Sequence, residues 1–370
     1  MKILIIVGTR PEAIKFAPLI KKLQSDSYFQ VKVCLTGQHK EMLEQVMNFF
    51  EIEADFDMNL MKKNQTLHEL SARALTELNP IISEFEPEII FVQGDTTTAF
   101  IGGLAAFYAK VKVAHLEAGL RSGDKYSPFP EEVNRKLLSV LADYHFAPTP
   151  KAKEFLSREN YTENVWVVGN TVIDALLLGV EILKSKEVDF LQDFDFFQPD
   201  KKVILVTAHR RESFGKPLES ICDAILEVAD RYDSVHFVYP VHYNPNVREV
   251  VFSKLQHHES VSLIDPVAYS KLIWLMQHAH IILTDSGGIQ EEAPTLGKPV
   301  LVLREVTERM EGIEAGTAKL VGTEKAHIVG AIADLLESKP AYEAMSKAVN
   351  PYGDGTTSDQ ILEVLKKVNS

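Results

Sequence analysis

Short runs of apolar, β-favouring residues alternate along the chain with longer stretches whose apolar positions recur every three to four residues. Strands buried on both faces read as continuous apolar runs, and helices that cross over such a sheet carry one apolar stripe. The alternation therefore predicts parallel sheet with crossover helices. In the first half the predicted strands are Ile3–Val7, Val31–Leu35, Ile89–Val92, Val111–His115 and Tyr144–Ala147. Helices are predicted between them, among others over Ala13–Leu23, Glu41–Phe49, Thr97–Phe107 and Glu131–Leu141. Near Val165–Val168 the series restarts. Val203–Val206, Val235–Tyr239, Val261–Ile264, Ile281–Leu283 and Val300–Val302 predict five further strands. The charged and aromatic stretch Lys184–Asp200 predicts an irregular insertion, and Thr356–Val368 has helical periodicity. The fold class is α/β, with two Rossmann-like domains over residues 1–168 and 169–355 facing a central cleft, and ligands at the carboxyl ends of both sheets.

Composition narrows this picture. At 370 residues the chain is longer than one comfortable core, which agrees with two domains. Hydrophobic residues make up 45% and charged residues 25%, a globular balance. No apolar run approaches the ~20 residues that span a bilayer. The opening run Met1–Val7 stops at Gly8-Thr9-Arg10-Pro11-Glu12, too early for a signal-peptide core, and reads as a buried first strand. The two cysteines, Cys34 and Cys222, stand far apart in apolar segments, so packing in a reducing, cytoplasmic setting is expected rather than a disulfide framework. A net charge of −13 with no basic face argues against a nucleic-acid partner.

Polar residues gather directly after the predicted strands, where open α/β sheets carry their chemistry. The first loop, Gly8–Lys15, offers a tight turn, a proline suited to a first helical turn, and two cations, Arg10 and Lys15, for a phosphate. Gln93-Gly94-Asp95-Thr96 and His115-Leu116-Glu117 place Asp95 and Glu117 at two strand mouths. Glu131 follows a Pro-Phe-Pro segment, with Arg135 one helical turn on. Three carboxylates at strand ends of one domain suggest an acid–base cluster. In the second half, Thr207–Glu212 sets His209, Arg210 and Arg211 after a strand, a combination suited to a pyrophosphate. Thr284-Asp285-Ser286-Gly287-Gly288 lets backbone amides approach an anion, and Glu292 farther on can accept two ribose hydroxyls. Arg304 and Arg309 lie beyond the next strand, and nothing local selects between them. The dinucleotide and P-loop glycine fingerprints, the His-Glu-x-x-His metal motif and the serine-hydrolase elbow are all missing from the sequence.

Taken together, Gly8–Ala13, Gly94–Thr98, His115–Arg121, Thr207–Glu212, Pro240–Pro245, Asp285–Pro294 and Asn350–Gly355 resemble the bacterial non-hydrolysing UDP-N-acetylglucosamine 2-epimerases, in family order over almost the whole chain. The resemblance implies a glycosyltransferase-B-type fold, usually a homodimer, whose C-terminal helix (residues 356–370) returns to the first domain. It implies interconversion of UDP-N-acetylglucosamine and UDP-N-acetylmannosamine through UDP and a 2-acetamidoglucal, with neither nicotinamide cofactor nor obligatory metal. Asp95, Glu117, Glu131 and His209 are then the catalytic candidates. Arg10, Lys15, Arg135, Ser286, Gly287, Gly288, Glu292 and Arg309 join them around the nucleotide sugar, and Val267 and Leu272 fall in the uracil pocket. A second, regulatory UDP-N-acetylglucosamine site is implied at Gln38 and Glu41 with Asn64, Arg210 and His242; Glu41 and Asn64 stand where some relatives carry Gln and Arg. Three rival readings share parts of this site. A retaining glycosyltransferase needs an acceptor groove, a hydrolysing epimerase needs water access, and a nucleotide-sugar sensor needs no carboxylate cluster.

Overall fold

The computed structural model describes residues 1–37, 40–62, 65–194, 197–198 and 200–368, with the backbone alone at 40 and 41. The chain divides into two compact units, Met1–Leu178 with Tyr352–Ser370, and Gly179–Pro351.

The first unit is built on seven parallel strands: β1 (Lys2–Val7), β2 (Gln30–Leu35), β3 (Phe56–Asp57), β4 (Ile89–Gln93), β5 (Lys112–Leu116), β6 (Tyr144–Ala147) and β7 (Val165–Val167). Their order across the sheet is β3-β2-β1-β4-β5-β6-β7, so the direction of progression reverses between β1 and β4. Ile3 lies opposite Val31 on one side and Ile89 on the other. Ile3 through Val7 are fully buried, as central strands must be when helices cover both faces. Those helices are α1 (Arg10–Gln24), α2 (Lys40–Phe49), α3 (Leu67–Phe85), α4 (Thr97–Tyr108), α5 (Glu131–Leu141), α6 (Pro150–Arg158) and α7 (Thr171–Ser185). Local chemistry sets their starts. Pro11 occupies the first turn of α1, and α3 opens on a reciprocal capping box between Thr66 and Glu69. Helix α7 carries the chain from the first unit into the second.

The second unit repeats the plan with six parallel strands: β8 (Lys202–Thr207), β9 (Val235–Pro240), β10 (Val261–Ile264), β11 (Ala279–Thr284), β12 (Val300–Val302) and β13 (Ala318–Leu320). The order β10-β9-β8-β11-β12-β13 reverses between β8 and β11. Helices α8 (Lys216–Arg231), α9 (Pro245–Leu255), α10 (Tyr269–His278), α11 (Gly287–Glu292), α12 (Met310–Glu314), α13 (Lys325–Glu337) and α14 (Lys339–Ser346) complete it. The Lys184–Asp200 stretch holds more order than its composition predicts. A 3-10 turn at Leu191–Asp193 leads to buried Phe194, whose ring stacks 5.3 Å from Trp274 on α10. Phe197 meets the same indole edge-on, and Asp189 accepts its N–H at 3.0 Å.

After Pro351 the chain rejoins the first unit. Asn170 donates its backbone N–H to Tyr352 at 2.7 Å, and α15 (Thr357–Val368) lies against α1. Ile361 and Leu365 are buried, while Lys22–Asp359 and Lys366–Asp26 pair at 2.6 Å along the rim. Among the described residues no helix is long and apolar enough to cross a membrane.

Candidate active site

In the first unit the chemistry collects at the carboxyl ends of β1, β4 and β5, beside the reversal of strand order. Leaving β5, the chain turns through Glu117 at φ +64°, a left-handed conformation uncommon for a residue with a side chain. That turn sends the carboxylate back over β4: a Cβ added at Gly94 would lie 3.4 Å from Glu117 Oε2. Lys15, from the second turn of α1, reaches Glu117 Oε1 at 2.5 Å, and Asn170 donates to the same oxygen at 3.3 Å. Gln93 donates to Oε2. Glu117 is thus held from three elements.

Asp95 stands on the next loop and pairs with Arg135 of α5. The loop itself is clamped at three successive residues. His115 donates from Nε2 to the Gly94 carbonyl at 2.7 Å, and Asn134 donates to the Asp95 carbonyl at 2.9 Å. The Thr96 hydroxyl donates to Glu12 Oε1 at 2.9 Å. Burial drives the His115 imidazole down to about 3, so it is neutral in this role. Arg135 is also joined to buried Glu132 at 3.3 Å, and Glu132 in turn accepts the Ser122 N–H at 2.9 Å. The helical neighbour of Arg135 suggested by spacing was Glu131. Glu131 opens α5 half-buried, and its carboxylate makes no hydrogen bond or ion pair among the described residues. Arg10, the first residue of α1, is exposed and its guanidinium reaches the Met42 sulfur at 3.9 Å.

In the second unit the loops after β8 and β11 lie side by side. Asp285, fully buried, accepts the backbone N–H groups of His209 and Arg210 at 2.6 and 2.7 Å, and Thr207 and Thr284 share a hydroxyl hydrogen bond of 2.6 Å beneath them. The His209 ring is stacked on His242, 5.2 Å between centroids and 10° from parallel. Ser286 precedes α11, and the guanidinium of Arg309 lies over the helix start, where a Cβ at Gly287 would come within 3.0 Å of its Cζ. Buried Glu292 accepts the Tyr269 hydroxyl at 2.5 Å. Both arginines beyond β12 converge on one carboxylate: Arg304 and Arg309 each donate to Glu308 at 2.7 Å. Burial pushes the Glu308 carboxyl up, but Arg309 first and Arg304 after it outweigh this and hold it at about 2. Val267 and Leu272 are half-buried, on the loop after β10 and the first turn of α10. Gln38 and Asn64 lie outside the described residues, as does the Glu41 side chain. Among the described residues, no group of three or more His, Cys, Asp or Glu side chains is placed to hold a metal ion.

Sequence reasoning passed over Glu12, Gln93, His115 and Asp285, which hold the predicted residues in place. All four fall within the segments singled out in the sequence, Gln93 and His115 as residues of β4 and β5 and Glu12 in the first turn of α1; their burial, which the sequence does not display, is what marks them.

These loops and this pair of sheets define an α/β enzyme of the glycosyltransferase-B-like kind, with paired carboxylates in one unit and a cationic, hydroxyl-rich set of loops in the other. Residues 21–366 match the family model described as UDP-N-acetylglucosamine 2-epimerase. The enzyme of that name from Escherichia coli K12 is 52% identical, over 99% of this chain and 98% of its own. The crystal structure of UDP-GlcNAc 2-epimerase from Neisseria meningitidis bound to UDP-GlcNAc superposes with a TM-score of 0.92 at 50% identity, covering 99% of this chain and 100% of that one. The Methanocaldococcus jannaschii enzyme in complex with UDP-GlcNAc and UDP gives a TM-score of 0.82 at 34% identity, over 99% and 100% of the two chains. The chain belongs to the UDP-N-acetylglucosamine 2-epimerase family and is an isomerase.

Proposed function

We propose that this chain interconverts UDP-N-acetylglucosamine and UDP-N-acetylmannosamine by eliminating UDP and adding it back to C1, with C2 reprotonated on the face opposite the one that lost its proton. The observation that carries this reading is the pair of cation-matched carboxylates at neighbouring strand ends, Glu117 with Lys15 and Asp95 with Arg135. The C2–H of the sugar has no adjacent carbonyl and is a poor acid. When the C1–O bond breaks, its electron pair leaves on the β-phosphate oxygen of UDP and positive charge grows at C1. That charge acidifies C2–H, a carboxylate takes the proton, and a C1=C2 double bond forms, giving the 2-acetamidoglucal. Protonation of C2 from the other face, with return of the UDP oxygen to C1, gives the epimer. Of the three candidates, Glu131 can take up a proton without releasing a paired cation. Asp95 or Glu117 then serves the opposite face.

In the second unit, Arg309 and the Ser286–Gly288 backbone suit the pyrophosphate, Glu292 braced by Tyr269 suits the ribose hydroxyls, and Val267 and Leu272 suit the uracil. His209 faces the leaving group. Arg210 and His242 stand beside it in the second unit, where the His242 ring stacks on His209. The enzyme works in the cytoplasm, in keeping with two free, buried cysteines. It assembles as a homodimer through the exposed apolar side chains of α4 and α5, Phe107, Tyr108, Leu137 and Val140.

The decisive test is incubation with UDP-N-acetylglucosamine in D2O. Deuterium should enter C2 of both epimers, each with UDP still attached, as read by NMR. Epimerised product without deuterium would sink the elimination scheme, and free N-acetylmannosamine as the main product would make the enzyme hydrolytic.

A further inference from the structure

Asp285 uses only half of its carboxylate. Oδ2 accepts the two backbone N–H groups of His209 and Arg210, at 2.6 and 2.7 Å. Oδ1 is equally buried, makes no hydrogen bond, and lies 3.6 Å from His209 Nδ1. Buried polar atoms in folded proteins are nearly always bonded, so an unused carboxylate oxygen next to an imidazole nitrogen calls for an explanation. We propose that Asp285 is the positioning residue for His209: when the nucleotide binds, Oδ1 accepts Nδ1–H and holds His209 as an imidazolium whose Nε2–H meets the leaving β-phosphate oxygen. This rests on the assignment of His209 to the leaving group made above.

The surroundings fit such a dyad. The His209 side chain is 42% exposed, so a small rotation about its own bonds closes 3.6 Å to hydrogen-bond length without displacing the core. Hydrogen bonds at catalytic groups are commonly long before the substrate arrives. The His242 ring lies nearly parallel to the imidazole, 5.2 Å between centroids. Asp285 itself cannot drift, because the two backbone N–H groups tie Oδ2 to the same loop that carries His209. Among the described residues, titratable groups beside the pair include Arg210, whose backbone N–H shares Oδ2, His242 on the ring face, and Tyr239 below. Tyr239 donates its hydroxyl to the Ala208 carbonyl at 2.5 Å, and burial raises it well above the ordinary tyrosine range, so it stays neutral. Asp285 Oδ1 is a carboxylate oxygen 3.6 Å from the imidazole Nδ1. As C1–O breaks, the electron pair moves to the β-phosphate oxygen, and the imidazolium stabilises it by a hydrogen bond while keeping its own protons. The C2 proton goes separately to a carboxylate of the first unit.

A double-mutant cycle tests the coupling. Asp285→Asn keeps an oxygen for the two backbone N–H groups and sets an amide NH2 against Nδ1–H. kcat and KM for UDP-N-acetylglucosamine are measured for the wild type, Asp285→Asn, His209→Asn and the double variant. Both single variants should lose ~10²-fold or more in kcat, and the double variant should be no slower than His209→Asn alone. A double variant slowed by the full product of the two effects would overturn the dyad while leaving the role of His209 intact. Wild-type turnover in His209→Asn would overturn the assignment of His209 itself. Should Asp285→Asn not fold, ¹⁵N NMR of histidine-labelled wild type with saturating UDP decides the matter. Both His209 nitrogens should be protonated, with the signal identified by its loss in His209→Asn; an unprotonated Nδ1 overturns the proposal.

Discussion

Glu12 shows how much one buried group carries. It is 1% exposed, and its carboxyl accepts the Gly8 N–H and the hydroxyls of Thr9 and Thr96, tying the loop after β1 to the loop that bears Asp95. Burial raises it to about 7, although the hydrogen bonds from Thr9, Thr96 and Gly8 oppose the shift. The native pKa lies above the unfolded one, so the native state binds the extra proton between them. The stability linked to Glu12 is fully present below about 4.5 and is lost as pH rises through about 7. Glu12→Gln removes the titration and keeps a group that can bond both loops. Its thermal stability should therefore fall less between pH 5 and pH 8 than that of the wild type, by on the order of 2 kcal/mol. Parallel melting curves for the two proteins across that range would show that Glu12 titrates normally. At this scale the sequence exposes chemistry but not burial. Asp95, Glu117 and His209 declare themselves by standing after apolar strands, whereas Glu12 and Asp285 read as ordinary loop acids. Arg135 likewise turns to Asp95, 40 positions back, and to Glu132 rather than to its predicted helical neighbour.

At the scale of elements, periodicity reads well where a strand is long and central. β1, β2, β4, β8 and β11 emerge directly from their apolar runs. The two-residue β3 and three-residue β13 sit at sheet edges and are too short to print a pattern. The Lys184–Asp200 stretch has no period at all, because its order comes from Trp274 on a distant helix. Turns are the other hidden element. Two residues after Glu117, Gly119 adopts φ +94°, and a Cβ there would stand 2.3 Å from the Ala152 carbonyl oxygen of α6. Neither the backbone angle nor the space admits a side chain. Gly119→Ala should cost roughly 2 kcal/mol or more in a urea titration. It should also depress kcat more than KM, because α6 and the Glu117 turn must move apart. A variant with wild-type midpoint and turnover would show that this turn is free to relax.

At the scale of the whole molecule, the first unit is assembled from both ends of the chain, with α15 sealed against α1 by Ile361, Leu365 and two rim ion pairs. Helices α4 and α5 expose a group of large apolar side chains. Phe107 and Tyr108 at the end of α4 are 58% and 65% exposed, and Val140 on α5 is 68% exposed, with Leu137 one turn before it. Phe107, Tyr108 and Val140 border a groove of about 660 Å³ with Val111 and Leu141, edged by Lys110, Lys112 and Asp143. Large apolar side chains gathered on two adjacent helices mark a protein contact more often than a solvent face. A two-fold contact would set each α4–α5 face against its own copy, self-complementary by symmetry. The proposed homodimer therefore makes a definite prediction. Leu137→Glu combined with Val140→Glu places two like charges per protomer, four in all, at the centre of that contact. Neither side chain is in the core, so the variant should fold, keep its far-ultraviolet circular dichroism, and sediment as a monomer where the wild type sediments as a dimer. Turnover per protomer should persist if each first unit carries its own complete set of carboxylates, since Asp95, Glu117 and Glu131 all come from one chain. A wild type that sediments as a monomer at micromolar concentration would overturn the dimer. A double variant that remains dimeric would move the interface to another face.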